Sequence, residues 1–371
     1  MQEADLPGLV AQVLWAAFAL AVVFGAIAQR THFCTMGAVA DIVNMGDWTR
    51  MRMWVMAMGV AMLGFNLMVA LGWVQAGQSV YAGPKLIWLS NLLGGLMFGF
   101  GMVLASGCGS KTLVRIGSGS LKSVVVFFVL AVAAYATLRG ITAVARVASV
   151  DTVALNLPVG QDLPSLLAHA TGASVKSLAL WLGGGLGLLL VGWGLLRAEG
   201  RSGEALLAGL GLGAVIVGVW WVSGRLGYLS EHPLTLEAVF LATNTQRMES
   251  LTFVAPVAYT VDWLILFSDK SKVLTIGIVS TVGVVLGSAL VALFTGSFRW
   301  EGFAGTEDTA NHVVGALLMG VGGVTAMGCT VGQGMSGVST LALGSFIALA
   351  AIMGGAVLGL RWQIWRLESS V

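Results

Sequence analysis

The chain has 371 residues, of which 57% are hydrophobic and only 10% are charged, whereas about a quarter of the residues in an ordinary soluble domain are charged. Its formal net charge of +2 is too small to indicate nucleic-acid binding. Its three cysteines include no CxxC pair, which argues against a disulfide framework and a zinc site. Composition therefore indicates an all-α integral membrane protein, and the 52 glycines suit apolar helices that pack closely.

Uncharged apolar runs recur along the chain. A spanning helix needs about 20 apolar residues, and backbone in hydrocarbon has to satisfy its own hydrogen bonds, so these runs are predicted to be helices. The last run is long enough for two spans, which brings the count to about nine, and the run 123–138 is the shortest. The runs are residues 9–28, 53–74, 87–106, 123–138, 177–196, 205–222, 273–298 and 313–360.

Two other segments complete the predicted architecture. Residues 251–267 are apolar but short and contain Pro256 and Asp262, which indicates a re-entrant or interfacial helix. Residues 139–176 form the longest polar connection and are predicted to lie outside the bilayer. With the N-terminus outside and the C-terminus inside, more than half of the Lys and Arg residues fall on the inner side, as positive-inside topology requires. Glu3 and Asp5 also fit an outer N-terminus.

An internal repeat is visible in the sequence. Residues 94–108 align without gaps on residues 315–329 and share Cys108 with Cys329, and after a one-residue shift residues 121–123 align on 343–345. We interpret the chain as a single transport domain, residues 1–371, with a first repeat at about 9–138, a linker helix at about 177–196 and a second repeat at about 205–360. Five spans separate the repeat starts, so the halves are predicted to be inverted, as in many transporters. The alternative is that glycine-rich helices resemble one another by composition alone.

The three cysteines are the main candidate functional residues. Cys34, Cys108 and Cys329 each follow an apolar run, in local sequence that can interrupt a helix. A helix restarting after each cysteine would direct N–H groups and a positive dipole end at an anion. A neutral thiol is soft and polarizable and suits a ligand with a terminal sulfur. The alternative reading is that each cysteine is an ordinary buried packing residue.

Other residues near the cysteines are candidate substrate contacts. Basic side chains could guide an anion, although positive-inside topology alone also places them there. Polar side chains could bind oxyanion oxygens, although they also serve in helix packing. No cofactor or metal motif is present in the sequence, so neither is expected. The candidate contacts are Arg30, His32, Ser110, Lys111, Arg115, Thr330 and Gln333.

Three motifs carry a resemblance to a known family. They are RTHFCTMG at residues 30–37, ASGCG at 105–109 and MGCTVGQG at 327–334, and with them the chain resembles the YeeE/YedE sulphur-transport family over residues 9–360. The resemblance implies nine spans in two inverted halves and uptake of thiosulfate across a bacterial inner membrane. It also implies that Cys34, Cys108 and Cys329 line the path and pass the anion by transient S–H···S hydrogen bonds. A small soluble sulfurtransferase of the TusA type is the implied partner.

Three other functions compete with thiosulfate transport. A membrane thiol enzyme would form a persulfide on a cysteine, and His32 is the histidine closest in sequence to one. A sensor or assembly protein would use the cysteines structurally. Some members of the resembled family are linked to selenium metabolism, and the Gly-Ser after Cys108 and the 139–176 connection depart from the family pattern, so a selenium-containing anion is a further alternative.

Overall fold

In the computed structural model of the chain, which describes residues 6–233 and 236–369, nearly all regular structure is helical. The predicted all-α fold class is therefore confirmed. Glu3 and Asp5, which supported an outer N-terminus, lie outside the described residues. The helices are α1 (Leu6–Arg30), α2 (Thr35–Met45), α3 (Thr49–Ala70), α4 (Trp88–Leu104), α5 (Gly109–Gly117), α6 (Leu121–Arg139), α7 (Ile141–Ala148), α8 (Leu163–Thr171), α9 (Val175–Leu195), α10 (Gly203–Leu226), α11 (Ala255–Ile265), α12 (Ile276–Phe294), α13 (Thr306–Thr325), α14 (residues 330–339) and α15 (Leu343–Ser369).

Short elements occupy the connections. Strand β1 (Lys85–Leu86) pairs antiparallel with β2 (Leu155–Asn156), and β3 (Tyr228–Leu229) pairs antiparallel with β4 (Val239–Phe240). Short 3₁₀ helices lie at Ala76–Gln78, Val150–Thr152 and Ala198–Arg201. The 139–176 connection, predicted only as a polar segment, therefore contains α7, α8 and a strand that pairs with the connection between α3 and α4.

Eight helical runs in the described part of the chain are long and apolar enough to cross a membrane. They are α1 with α2, α3, α4 with α5, α6, α9, α10, α12 and α15. Helix α13 has 20 residues, but Glu307 and Asp308 occupy its first turn and make it more polar than the eight. The run predicted to hold two spans is divided between α13 and α15, so within the described residues α13 is the ninth helix that the predicted count of about nine requires.

Two less regular predictions also have helical counterparts. The shortest predicted span, residues 123–138, lies within α6, whose 19 residues make it long enough to cross. The short apolar segment at 251–267 contains α11, whose 11 residues are too few to span a bilayer. Pro256 lies in the first turn of α11, where its missing N–H leaves no intrahelical hydrogen bond unmade.

Helices α4 and α13 cross in direct backbone contact. A Cβ atom on Gly94 would lie 2.7 Å from the Gly322 carbonyl oxygen, and one on Gly101 would lie 2.7 Å from the Gly315 carbonyl oxygen. Since Gly94 meets the later part of α13 and Gly101 the earlier part, the two helices are antiparallel. Gly94 and Gly101 match Gly315 and Gly322 in the repeat, so each contact is the image of the other when the two halves are exchanged.

The contacts of α4 and α13 with their neighbouring helices are also related by exchanging the two halves. Gly99 on α4 packs against the Ile352 carbonyl of α15, and Gly320 on α13 packs against the Leu130 carbonyl of α6. Gly99 matches Gly320 in the repeat, and Leu130 matches Ile352 after the one-residue shift. Each half therefore packs its helices onto the other half, and small residues make the close approach sterically allowed.

The outer helices are also shared between the halves. Gly25 of α1 packs on Val284 of α12, and Gly213 of α10 packs on Val60 of α3. Helix α9, the predicted linker, lies along α3, where a Cβ on Gly59 would be 2.8 Å from the Gly187 carbonyl oxygen. This arrangement places the short helices α2, α5, α11 and α14 among the long ones.

Candidate functional site

The three cysteines occupy the same kind of turn. Each lies two residues after a non-glycine residue with a left-handed backbone, namely His32 (φ 49°), Ser106 (φ 55°) and Met327 (φ 59°). Non-glycine residues rarely adopt this conformation. It ends the preceding helix and reverses the chain, so a new helix begins directly after each cysteine.

The cysteines stand at the N-termini of those new helices. The Gly37 amide donates to Cys34 Sγ over 3.3 Å, and the Gly332 amide donates to Cys329 Sγ over 3.4 Å. Cys108 Sγ lies 3.2 Å from Ser110 Oγ. The predicted helix start after each cysteine is therefore confirmed. Backbone amides that have no acceptor within the helix, and the positive end of the helix dipole, lie beside each thiol.

All three thiols are free and buried. Cys34 is 8% exposed, Cys108 is 1% exposed and Cys329 is fully buried. The side chains of Cys34 and Cys108 are neighbours that influence each other electrostatically. Cys329 lies near Cys108, and its Sγ is 3.9 Å from Thr252 Oγ1. The fold therefore gathers three cysteines that are far apart in sequence.

Two predicted polar contacts lie at the same place. Thr330 and Gln333 are buried in α14, and the Thr330 side chain lies beside Cys108. Gln333 Nε2 donates to the Ala326 carbonyl. Thr330 Oγ1 and Gln333 Oε1 have no hydrogen-bond partner of normal geometry in the described structure. Buried polar atoms are normally paired, so these two mark a position where a ligand or water can bind.

The predicted basic residues divide into two groups. Arg30 and His32 are exposed, and Arg30 Nη1 lies 3.7 Å from Glu204 Oε1. Lys111 is half-buried and close to both Cys34 and Cys108. Its charge is thus available to an anion near the two thiols.

Arg115 has a structural contact. Its Nη1 donates to the Ser106 carbonyl over 2.8 Å, which stabilises the turn before Cys108. A further basic residue, Arg50, was missed by the sequence analysis, although a Cβ on Gly37 would lie only 2.6 Å from its Nη1. Its position at the start of α3 gave no signal beyond positive-inside charge.

The sequence analysis also missed a cavity beside Cys329. It has a volume of about 230 Å³ and extends from the exposed residues Asn244 and Thr245 to Met327 and Gly328, which precede Cys329. Thr252, the neighbour of Cys329, also lines it. Met327 and Gly328 belong to the repeat, but much of the remaining lining comes from connections without a pattern.

Fold and site together define a polytopic helical membrane protein with buried thiols at the starts of short helices. A sequence profile described as sulphur transport matches residues 30–358. The chain belongs to that sulphur-transport family, the YeeE/YedE family, and it is a multi-pass membrane transporter.

Curated relatives agree with this assignment. The thiosulfate transporter TsuA of Spirochaeta thermophila is 26% identical over 367 residues, covering 91% of this chain and 94% of the relative. The thiosulfate transporter TsuA of Escherichia coli K12 is 26% identical over 316 residues, covering 84% and 83%. The probable transporter YedE of Salmonella typhimurium is 32% identical over 98 residues, covering 26% and 23%.

Proposed function

We propose that the chain carries thiosulfate, or a related small sulfur anion, along a path formed by Cys34, Cys108 and Cys329. The observation that carries this proposal is the gathering of three free, buried thiols at three helix N-termini. Two similar proteins of nearly the same length are named thiosulfate transporters.

The chemistry of the path fits such an anion. Backbone amides at the helix starts stabilise negative charge, and Lys111 adds one cation near Cys34 and Cys108. The terminal sulfur of thiosulfate is soft, and a neutral thiol can donate a weak S–H···S hydrogen bond to it. The Thr330 hydroxyl and the Ser110 hydroxyl are placed to bind the sulfonate oxygens as the sulfur passes Cys108.

The exchange of helices between the halves supports an inverted repeat. We place the first half at about residues 9–138 and the second at about 205–360, with the linker at about 177–196. Antiparallel contact between α4 and α13 puts the symmetry axis across the helices, as an axis in the membrane plane requires. Cys34 and Cys108 then serve one side of the path, and Cys329 serves the other.

Orientation and partner follow from charge. Lys111, Arg50 and Arg30 lie near the Cys34 and Cys108 end, which we place at the inner face of a bacterial inner membrane, with the N-terminus outside and the C-terminus inside. A TusA-like soluble sulfurtransferase receiving the anion at this face stays a prediction.

The proposal is tested by growth on thiosulfate and by thiosulfate uptake into proteoliposomes. A cysteine-requiring bacterial strain without other thiosulfate uptake should grow on thiosulfate when it expresses this chain, and proteoliposomes should take up labelled thiosulfate. Cys108→Ala and Cys329→Ala should each abolish both, while Thr295→Ala, an exposed residue, should not. Equal membrane amounts and size-exclusion profiles control for folding.

Two results would contradict the proposal. Full uptake by the Cys108→Ala/Cys329→Ala double variant would remove the thiols from the mechanism. Efficient uptake of a selenium-containing anion by the wild type, with no uptake of thiosulfate, would show that the substrate is the selenium-containing anion.

A further inference from the structure

A carboxyl group lies in the cavity beside Cys329. Glu249 is half-buried there and shares the lining with Tyr81 and Thr252. A carboxylate is an unexpected group in the entrance to an anion path, because its charge would repel the anion. Its presence therefore calls for a physical explanation.

The cavity ends beside the Cys329 turn, since Gly328 and Thr252 line it. Thr252 Oγ1 lies 3.9 Å from Cys329 Sγ. A Cβ on Gly332, in the turn that donates to Cys329, would overlap Thr252 Oγ1 and lie 3.2 Å from Tyr81 Oη. One wall of the cavity is therefore the Cys329 turn, and an anion bound beside Glu249 is next to that turn.

The basic groups around Glu249 do not neutralise it. Glu249 makes no ion pair within the described residues. Arg146 lines the cavity, but its Nη1 lies 3.2 Å from Asp151 Oδ2, and Arg247 donates to a backbone carbonyl over 3.3 Å. Arg225, on the end of α10 that contacts the Glu249 amide, is exposed.

The remaining titratable neighbours stay neutral near physiological pH. Burial raises the pKa of the Tyr81 phenol and the pKa of the Tyr259 phenol, so neither ionises. Arg139 and Asp262, which interact with Tyr259, line a neighbouring cavity and not this one. Glu249 is therefore the group in this cavity whose protonation can change.

Burial raises the pKa of Glu249 to about 8, with hydrogen bonding from Thr245 acting in the opposite direction. Below that pH the carboxyl is protonated and donates an O–H hydrogen bond, which an anion accepts. Above it the carboxylate repels the anion. Since the protonated form favours the anion, the bound anion in turn favours protonation.

We propose that the cavity binds the transported anion together with a proton held on Glu249, so that Glu249 is a substrate-contacting residue and anion binding is linked to proton binding. This inference rests on the proposed function. It assigns to the cavity a donor set of one protonated carboxyl and the hydroxyls of Thr252 and Tyr81, suited to sulfonate-type oxygens.

The first experiment is thiosulfate uptake into proteoliposomes from about pH 6 to about pH 9, with the same pH on both sides and thiosulfate well below saturation. Thiosulfate keeps both negative charges over this range, so the anion itself does not titrate. Wild-type uptake should be level below neutrality and fall by about tenfold per pH unit above the pKa of Glu249. Glu249→Gln, which is neutral at every pH, should give a level profile, and Glu249→Asp should keep a falling one.

The control is Glu231→Gln, an exposed carboxyl in the same connection, which should keep the wild-type profile. A second measurement is calorimetric binding of thiosulfate at about pH 8 in buffers of different ionisation enthalpy. The wild type should take up roughly half a proton per anion, and Glu249→Gln should take up none.

A wild-type pH profile in Glu249→Gln, or equal proton uptake in both proteins, would overturn the inference while leaving transport intact. Absence of uptake at every pH in the wild type would instead overturn the proposed function, and the inference with it.

Discussion

The turns at Cys108 and Cys329 share a backbone but differ in chemistry. Each follows a long helix and a left-handed residue, and each starts a short helix. Helix α5 is a regular α-helix that carries Lys111 and Arg115, whereas α14 contains a π-helix at Gly332–Gly337 and no charged residue. A π-helix accommodates one inserted residue, which accounts for the one-residue shift of the repeat after the cysteines. The two turns therefore share one scaffold, but the short helix after Cys108 carries basic residues and the one after Cys329 carries no charge.

The short helices α2 and α11 give a second comparison. Cys34 is the N-cap of α2, and the corresponding N-cap of α11 is Val254. Both short helices carry an aspartate in an ion pair, Asp41 with Arg50 at 3.3 Å and Asp262 with Lys272 at 2.6 Å. The ion-paired aspartate is common to both helices, but the turn is not, because Cys34 has an extended backbone (φ −161°, ψ 124°) and Val254 a helical one (φ −112°, ψ −64°).

The largest expected effect concerns the helix contact that relates the two halves. Gly322→Ala places a Cβ 2.6 Å from the Phe98 amide nitrogen and 2.7 Å from the Gly94 carbonyl oxygen, so backbone has to move. We expect a loss of about 1–3 kcal/mol in stability, measured as thermal unfolding in detergent. Gly184→Ala in α9 has open space around it and should leave stability unchanged or raise it by up to about 1 kcal/mol. Equal melting of the two variants would contradict the close α4–α13 contact.

The sequence predicted the parts of the molecule that depend on periodic or repeated patterns. Long apolar runs were sufficient to predict the spanning helices, because a chain segment in hydrocarbon has to form its backbone hydrogen bonds internally, as a helix does. Glycines flanking Cys108 predicted the helix break there. The π-helix at Gly332–Gly337 was not predicted, although the repeat shift that it explains was visible.

The cavity could not be predicted for a physical reason. Tyr81 and Glu249 lie in separate connections and come together with Gly328 only through the packing of the helices between them. The spacing of residues along the chain does not predict that these three residues line one cavity. The same holds for the proximity of Cys34 and Cys108, which the sequence could propose only through resemblance.

A smaller effect is expected from the charge that distinguishes the two turns. Lys111→Gln removes the ammonium nearest Cys34 and Cys108, and its repeat counterpart is Gly332. A hydrogen bond to a charged group contributes about 1.5 kcal/mol, so the thiosulfate concentration for half-maximal uptake should rise about tenfold with little change in maximal rate. Lys122→Gln removes the same charge from an ion pair with Glu301 and serves as the control, which should stay near the wild type. Equal shifts in the two variants would mean that Lys111 acts only through general surface charge.

The smallest expected effect separates the cysteine that has no counterpart from the two that match. Cys34→Val fills the buried position with an aliphatic side chain of similar size, so α2 should still form, although the Gly37 amide loses its acceptor. It removes one weak sulfur hydrogen bond, of roughly 0.5 kcal/mol, which should lower initial uptake only about twofold. Because Cys108 keeps Ser110 at 3.2 Å and Thr330 beside it, the anion still meets donors at that point of the path. A complete loss of uptake, at normal membrane levels, would show instead that transfer requires a thiol at every step, and the two halves would then differ in mechanism as well as in charge.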